Sequence, residues 1–125
     1  MGAGSISFVD IRDVAKVATI VINHSGHEGK AYQITGSQAL TNHQIAEMLS
    51  GILGRSITYV DIPEEVARQA MASSGIPDKQ IEMVLGLYAR QKAGRYSQVT
   101  SVIETVTGDQ PITFARFVQD YQDAF

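Results

Sequence analysis

The strongest constraint in this sequence is a change of hydrophobic period that recurs along its first half. Residues 5–9 set Ile6 and Phe8 among serines, the two-residue alternation of a half-buried strand. Asp10, Ile11, Arg12 and Asp13 then open a helix whose Val14, Val17, Ala18 and Val21 share one face, widened by Ile20 and Ile22. A polar exit over residues 23–29 leads to a second predicted strand at 30–35, stopped by Gly36. Thr41 and Gln44 have the spacing of a capping box, and Ile45, Met48, Leu49, Ile52 and Leu53 follow as an apolar stripe closed by Gly54. Residues 55–62 predict a third strand, with Ile57, Tyr59 and Asp61 on one face and Thr58, Val60 and Ile62 on the other. Strands joined by helices belong to the α/β class, and parallel pairing is expected of them.

The second half reads as helices. Pro63, Glu64 and Glu65 suit a helix N-terminus, and Val66, Ala67, Ala70 and Met71 are expected to face inward. Residues 73–75 break that helix. Pro77 and Asp78 open the next, whose stripe is Ile81, Val84, Leu85 and Tyr88 and which ends near Gly94. Residues 97–107 predict a short helix, 108–111 a turn, and Thr113 a cap for a last helix carrying Phe114, Phe117, Val118, Tyr121 and Phe125. The expectation is one domain over residues 1–125: a small α/β unit with about three short strands and five to six helices, helix-rich toward the C-terminus. A composition of 44% hydrophobic and 18% charged residues excludes intrinsic disorder. A chain of this length buries about two thirds of its unfolded surface.

Composition also removes several chemistries. With no cysteine the chain has no disulfide, no thiolate nucleophile and no cysteine-held metal, which fits a reducing compartment. Ten basic against 13 acidic residues leave a net charge of −3, and no basic recognition helix or stripe is present, so nucleic acid is not an expected partner. The apolar stretches fall well short of the ~20 residues of a membrane span, and residues 1–10 lack the pattern of a signal peptide, so a cytoplasmic protein is expected.

No catalytic, metal or cofactor-binding set assembles from the residues alone. Gly2, Ala3 and Gly4 begin like a phosphate-binding loop, but Ser7 stands where the next glycine is required and no strand precedes them. His24, His27 and Glu28 lie in a loop without a further ligand at a defined offset. Tyr88 and Lys92 have the Tyr-x-x-x-Lys spacing of short-chain dehydrogenases, which puts phenol and ammonium on one helical face. The plainer reading is a core-edge tyrosine beside a solvated lysine. Asp10, Arg12 and Asp13 form a dense cluster. Its carboxylates either hydrogen-bond a hydroxylated ligand or cap the helix, with Arg12 pairing to a neighbour.

An ordered set of segments resembles the C-terminal part of NmrA-like, atypical short-chain dehydrogenase/reductase proteins. It comprises residues 8–15 (FVDIRDVA), 29–36 (GKAYQITG), 40–55, 57–61 (ITYVD), Leu87-Tyr88, Val106-Thr107-Gly108 and 111–114 (PITF), and it covers nearly the whole chain. The resemblance implies a substrate-side portion that follows an NAD(P)-binding Rossmann half in quinone- and dye-reducing oxidoreductases, epimerase-like proteins and redox-sensing regulators. No position here matches that half's glycine-rich loop, so no cofactor-binding residue carries over and none is expected to act in catalysis alone. The resemblance places Met83, Leu87 and Tyr88 on the substrate-pocket wall, and with Asp10 and Arg12 they are the substrate-proximal candidates. Residues 30–35 would join the Rossmann sheet, so their edge and the face carrying Ile20 and Ile22 are expected to promote a homo-oligomer. The alternative function is a stand-alone module that binds a small apolar or aromatic ligand or a protein partner.

Overall fold

A computed structural model describes residues 4–125; Gly2 and Ala3 of the N-terminal glycine segment lie outside the described residues. Strand β1 (Ser5–Ser7) pairs with β2 (Ala39–Thr41) in the register Ser5↔Thr41, Ile6↔Leu40 and Ser7↔Ala39, and the pairing is antiparallel. Beyond β1 the chain turns straight into α1 (Ile11–Asn23), because Asp10 stands in extended conformation and its carboxylate accepts the Arg12 backbone N–H at 2.8 Å. Asp13 and Val17 are buried on the inner face of α1, which packs on α5 (Val102–Thr107) and its buried Ile103. Ile20 is half-buried there, but Ile22 points outward and is 82% exposed, so the apolar face is narrower than its composition suggests.

Helix α2 (Asn42–Leu53) begins with the expected capping box: Thr41 Oγ1 accepts from Gln44 N, and Gln44 Oε1 accepts from Thr41 N at 2.9 Å. It ends at Gly54, whose φ of 65° is the left-handed conformation that glycine adopts freely. α2 packs on α6 (Phe114–Asp120), which is capped by Thr113 and buries Val118. Helices α3 (Glu64–Ser73) and α4 (Asp78–Lys92) fold back on each other as a hairpin, held by an Arg68–Glu82 ion pair and turned at Gly75, where φ is 79°. A 3₁₀ turn over Gln122–Ala124 ends the chain.

Six α-helices among the described residues agree with the expected number, but the sheet does not agree with the expected one. The described residues hold two paired strands rather than three, joined antiparallel rather than parallel. Residues 30–35 keep their alternation, with Tyr32 and Ile34 turned inward, yet lack a backbone ladder. Their partner is a side chain: Thr100 N donates to Thr35 Oγ1 at 2.8 Å and Thr100 Oγ1 donates to the Gln33 carbonyl at 2.7 Å. The chain then passes tightly over the Phe8 carbonyl at Gly36 and continues into β2, which pairs antiparallel with β1. Residues 55–62 are likewise extended but unladdered. Their anchor is Ser50 Oγ, which accepts from Ile57 N at 2.9 Å and whose one proton is shared between the Ala46 carbonyl at 2.7 Å and the Ile57 carbonyl at 3.0 Å. The short helix expected from residue 97 starts only at Val102.

Polar ties fasten α1 to the last quarter of the chain. The Asp10 carboxylate takes the Arg12 side chain with both oxygens, at 2.9 and 2.8 Å, and the same guanidinium reaches Asp120 Oδ2 at 2.8 Å and lies over the Tyr121 ring. Buried Asp13 accepts the Ile112 backbone N–H at 2.7 Å, and Lys16 pairs with Asp109. The hydrogen bond from Arg12 holds the Asp10 carboxyl below its ordinary value of 3.8, against the opposing effect of burial. Arg12 lowers Asp120 in the same way.

Two predictions follow from this packing. A Cβ on Gly36 would collide with the Phe8 carbonyl, whereas Gly51 in α2 faces open space. Gly36→Ala is therefore expected to cost about 1–3 kcal/mol, and Gly51→Ala to stabilise by roughly 0.5–1 kcal/mol, read as urea midpoints of opposite shift. The second concerns acid. A carboxyl whose folded pKa is depressed stabilises the fold above its unfolded value, and that contribution is lost as pH falls through the folded value. Asp10→Asn keeps a side-chain cap but removes the titrating charge. Its stability should fall less steeply than the parent's below the ordinary carboxyl value of 3.8, and parallel urea midpoints from pH 6 to 2.5 would refute the assignment.

Candidate functional site

The site begins with what α3, α4 and the extended segment before them leave open. Small residues on α3, Ala67 and Ala70, keep its backbone close to α4 without filling the space between, and the chain over residues 59–63 closes one side. The result is a cavity of about 630 Å³ with Val60, Ile62, Met71, Leu85 and Ala89 as apolar wall and Tyr59, Asp61, Glu64, Tyr88 and Lys92 as polar groups. That volume falls within the ~300–1,000 Å³ of small-molecule sites, and the mixture of apolar wall with a few polar groups is typical of them.

Three of the five polar groups are positioned by a neighbour. Tyr59 stands edge-on to His43 of α2, with ring centroids 5.0 Å apart, and its hydroxyl donates to Asp61 Oδ1 at 3.0 Å. Glu64, in the first turn of α3, lies 3.7 Å from Arg68 one turn on. Tyr88 and Lys92 are one turn apart on α4, on the same side as buried Leu85. This arrangement can enclose a flat apolar body and meet its polar substituents at one end.

Of the substrate-proximal candidates, only Tyr88 lines this cavity. Met83 and Leu87 lie on another side of α4 and are exposed. Asp10 and Arg12 sit away from the cavity at the start of α1, with both carboxylate oxygens already accepting hydrogen bonds from Arg12. Of the two readings of that cluster, the geometry is the capping one. Tyr88 is half-buried and Lys92 exposed, as the reading of a core-edge tyrosine beside a solvated lysine had it, and Lys92 also borders the cavity, which its spacing from Tyr88 signals. Met71 and Ala67, expected inward, are half-buried in the opposite wall, whereas Ala70, which also lines the cavity, and Val66 of the same set are exposed. Tyr59 and Asp61 had only the alternation of residues 55–62 to mark them.

His27 Nδ1 lies 2.7 Å from the Tyr32 hydroxyl, and Glu28 accepts the Gly26 N–H. Among the described residues no group of three histidine or acidic side chains is placed to hold a metal ion, and no helix is long and apolar enough to cross a membrane.

No family model matches the sequence. The whole chain is 38% identical to the NAD(P)H azoreductase of Xenophilus azovorans over 125 residues, which are 44% of that protein. The crystal structure of an NADPH-dependent quinone oxidoreductase from Escherichia coli superposes with a TM-score of 0.85 at 29% identity, covering 95% of this chain and 43% of that one. A nucleoside-diphosphate-sugar epimerase from Staphylococcus aureus shares the fold, with a TM-score of 0.84 at 23% identity over 94% of this chain and 41% of that one. The chain thus spans less than half the length of the relatives it matches. Over its whole length the chain is similar to the C-terminal part of NAD(P)H-dependent reductases and epimerase-like proteins, as its resemblance to the NmrA-like, atypical short-chain dehydrogenase/reductase family implies.

Proposed function

We propose that this chain is the substrate-binding portion of an NAD(P)-dependent oxidoreductase. It holds a small aromatic or apolar molecule in the cavity between α3 and α4 and acts in the cytoplasm. The observation that carries this reading is that a fitted cavity of about 630 Å³ lies within a chain that is similar from end to end to part of an NAD(P)H azoreductase.

The described residues do not fit the dinucleotide itself. A pyrophosphate needs a glycine-rich turn between strand and helix, with free N–H groups at the helix start. Here Phe8 and Val9 connect β1 to α1, and the Asp10 carboxylate already occupies the first turn of that helix, placing negative charge where phosphate would have to sit. Hydride transfer is accordingly assigned to a dinucleotide-binding portion outside the described residues, and the groups of this chain bind and orient the substrate.

A second reading, self-association, is supported by the exposed Ile11, Ile22, Val60 and Met83, each more than 60% accessible, and by the unladdered edge of residues 30–35. In it, copies of the chain cover these surfaces and form a homodimer or larger assembly.

Titrating NADPH and following its fluorescence tests the first reading. The chain alone is expected to give no tight binding, and a micromolar Kd without an added partner would refute the division of labour. Light scattering tests the second: an assembly larger than the 13.5 kDa chain is expected, and a monomeric mass at high micromolar concentration excludes it.

A further inference from the structure

We infer that the cavity between α3 and α4 selects ligands bearing an oxyanion on an apolar ring body, with the Tyr88 hydroxyl and the Lys92 ammonium as the recognising donors. The inference rests on the reading of this cavity as the ligand site and specifies what that site takes.

It follows from which polar groups of the cavity are already committed. Its two carboxylates have protein partners: Asp61 accepts from the Tyr59 hydroxyl at 3.0 Å, and Glu64 pairs with Arg68 at 3.7 Å. Its two uncommitted polar groups are both donors. Tyr88 and Lys92 line the cavity, and among the described residues neither side chain has a hydrogen bond or ion pair. They stand one turn apart on α4, about 6 Å along the helix axis. A ligand oxygen near that turn is thus within reach of both. The two donors without a protein partner call for acceptors on the ligand, and the ammonium favours an acceptor that carries charge.

The orientation of the ring is also set. Lys92 borders a second depression on its other side, formed with Gly4, Ser5, Ala93, Gly94 and Ser97, which has no aromatic or large apolar wall. On the α3 side Tyr88 stands with Leu85, Met71 and Val60. An apolar ring therefore goes to the α3 side, and its charged oxygen turns toward the end of α4.

The test uses two ligands of one ring, 2-naphthoate and neutral 2-naphthalenemethanol, titrated calorimetrically against the 125-residue chain. The carboxylate is expected to bind roughly tenfold tighter, as charge-assisted hydrogen bonds exceed neutral ones. Lys92→Met should erase most of that preference by weakening the carboxylate far more than the neutral ligand, and continued binding of the neutral ligand shows that the cavity is intact. Lys92→Arg should retain the preference, and Tyr88→Phe should reduce it. Equal affinity of the parent chain for the two ligands overturns the inference and leaves the cavity reading standing. Absence of binding by both overturns the cavity reading and the inference with it. Full preference surviving in Lys92→Met overturns the role of the lysine, and with it the inference.

Discussion

The structure depends on the way one helix start is held. A helix leaves its first N–H groups without internal partners, and α1 begins directly after a strand, with little chain available to cover them. Asp10 meets that need and, being buried, must itself be balanced; Arg12 balances it from two positions along. The guanidinium has a donor to spare, and that donor reaches Asp120 at the far end of the sequence. Asp13 repeats the device one turn later with the Ile112 backbone. A local capping requirement thereby becomes the long-range tie that fixes α5 and α6 against α1. A buried carboxylate is stable there because each is hydrogen-bonded, which offsets its desolvation.

The cavity is built on elements attached by lighter means. The hairpin of α3 and α4 meets the rest of the chain where α4 runs behind β1, and there Gln91 is buried, with its amide 3.3 Å from the Gly4 carbonyl and 3.4 Å from Asn42 Oδ1. A Cβ on Gly4 would strike the backbone of Gln91, so the approach is close and glycine is required. The segment closing the cavity is held by the Ser50 hydroxyl, by the Tyr59–His43 ring contact and by Arg55, which reaches the Phe125 carbonyl. A wall fastened at a few points can adjust to what it encloses, while the α1 cluster cannot move without breaking several charge-assisted bonds at once.

These two regions differ in how far the sequence alone reveals them. The Thr41–Gln44 box, the Gly54 stop and the Thr113 cap are legible because each is decided within four residues. Residues 30–35 and 55–62 are correctly extended in their alternation, but a strand exists only with a ladder partner, and no pattern inside a segment says who that is. The role of Arg12 was open for the same reason: its second partner is 108 residues away. On α4, helical spacing groups Leu85 with Tyr88 and Lys92, yet only the placement of α3 decides that this side, rather than the one carrying Met83 and Leu87, borders the cavity.

That contrast also separates residues that hold the fold from those free to serve a ligand. Arg12, Lys16 and Arg68 each have a carboxylate partner in another element. Removal of Arg12 leaves buried Asp10 unmatched, whereas the partners of Lys16 and Arg68 are exposed carboxylates that water can serve. Lys92 and the Tyr88 hydroxyl have no partner among the described residues, so the fold gains nothing from their polar ends beyond hydration. Their stems still pack along the cavity wall, as amphipathic side chains do. A polar end that does nothing for the chain itself, set at the edge of an apolar cavity, loses least by exchanging water for a ligand oxygen. In this chain the charged cluster most conspicuous in sequence, at Asp10, Arg12 and Asp13, is spent on structure. The inconspicuous pair on α4 is what remains available for recognition.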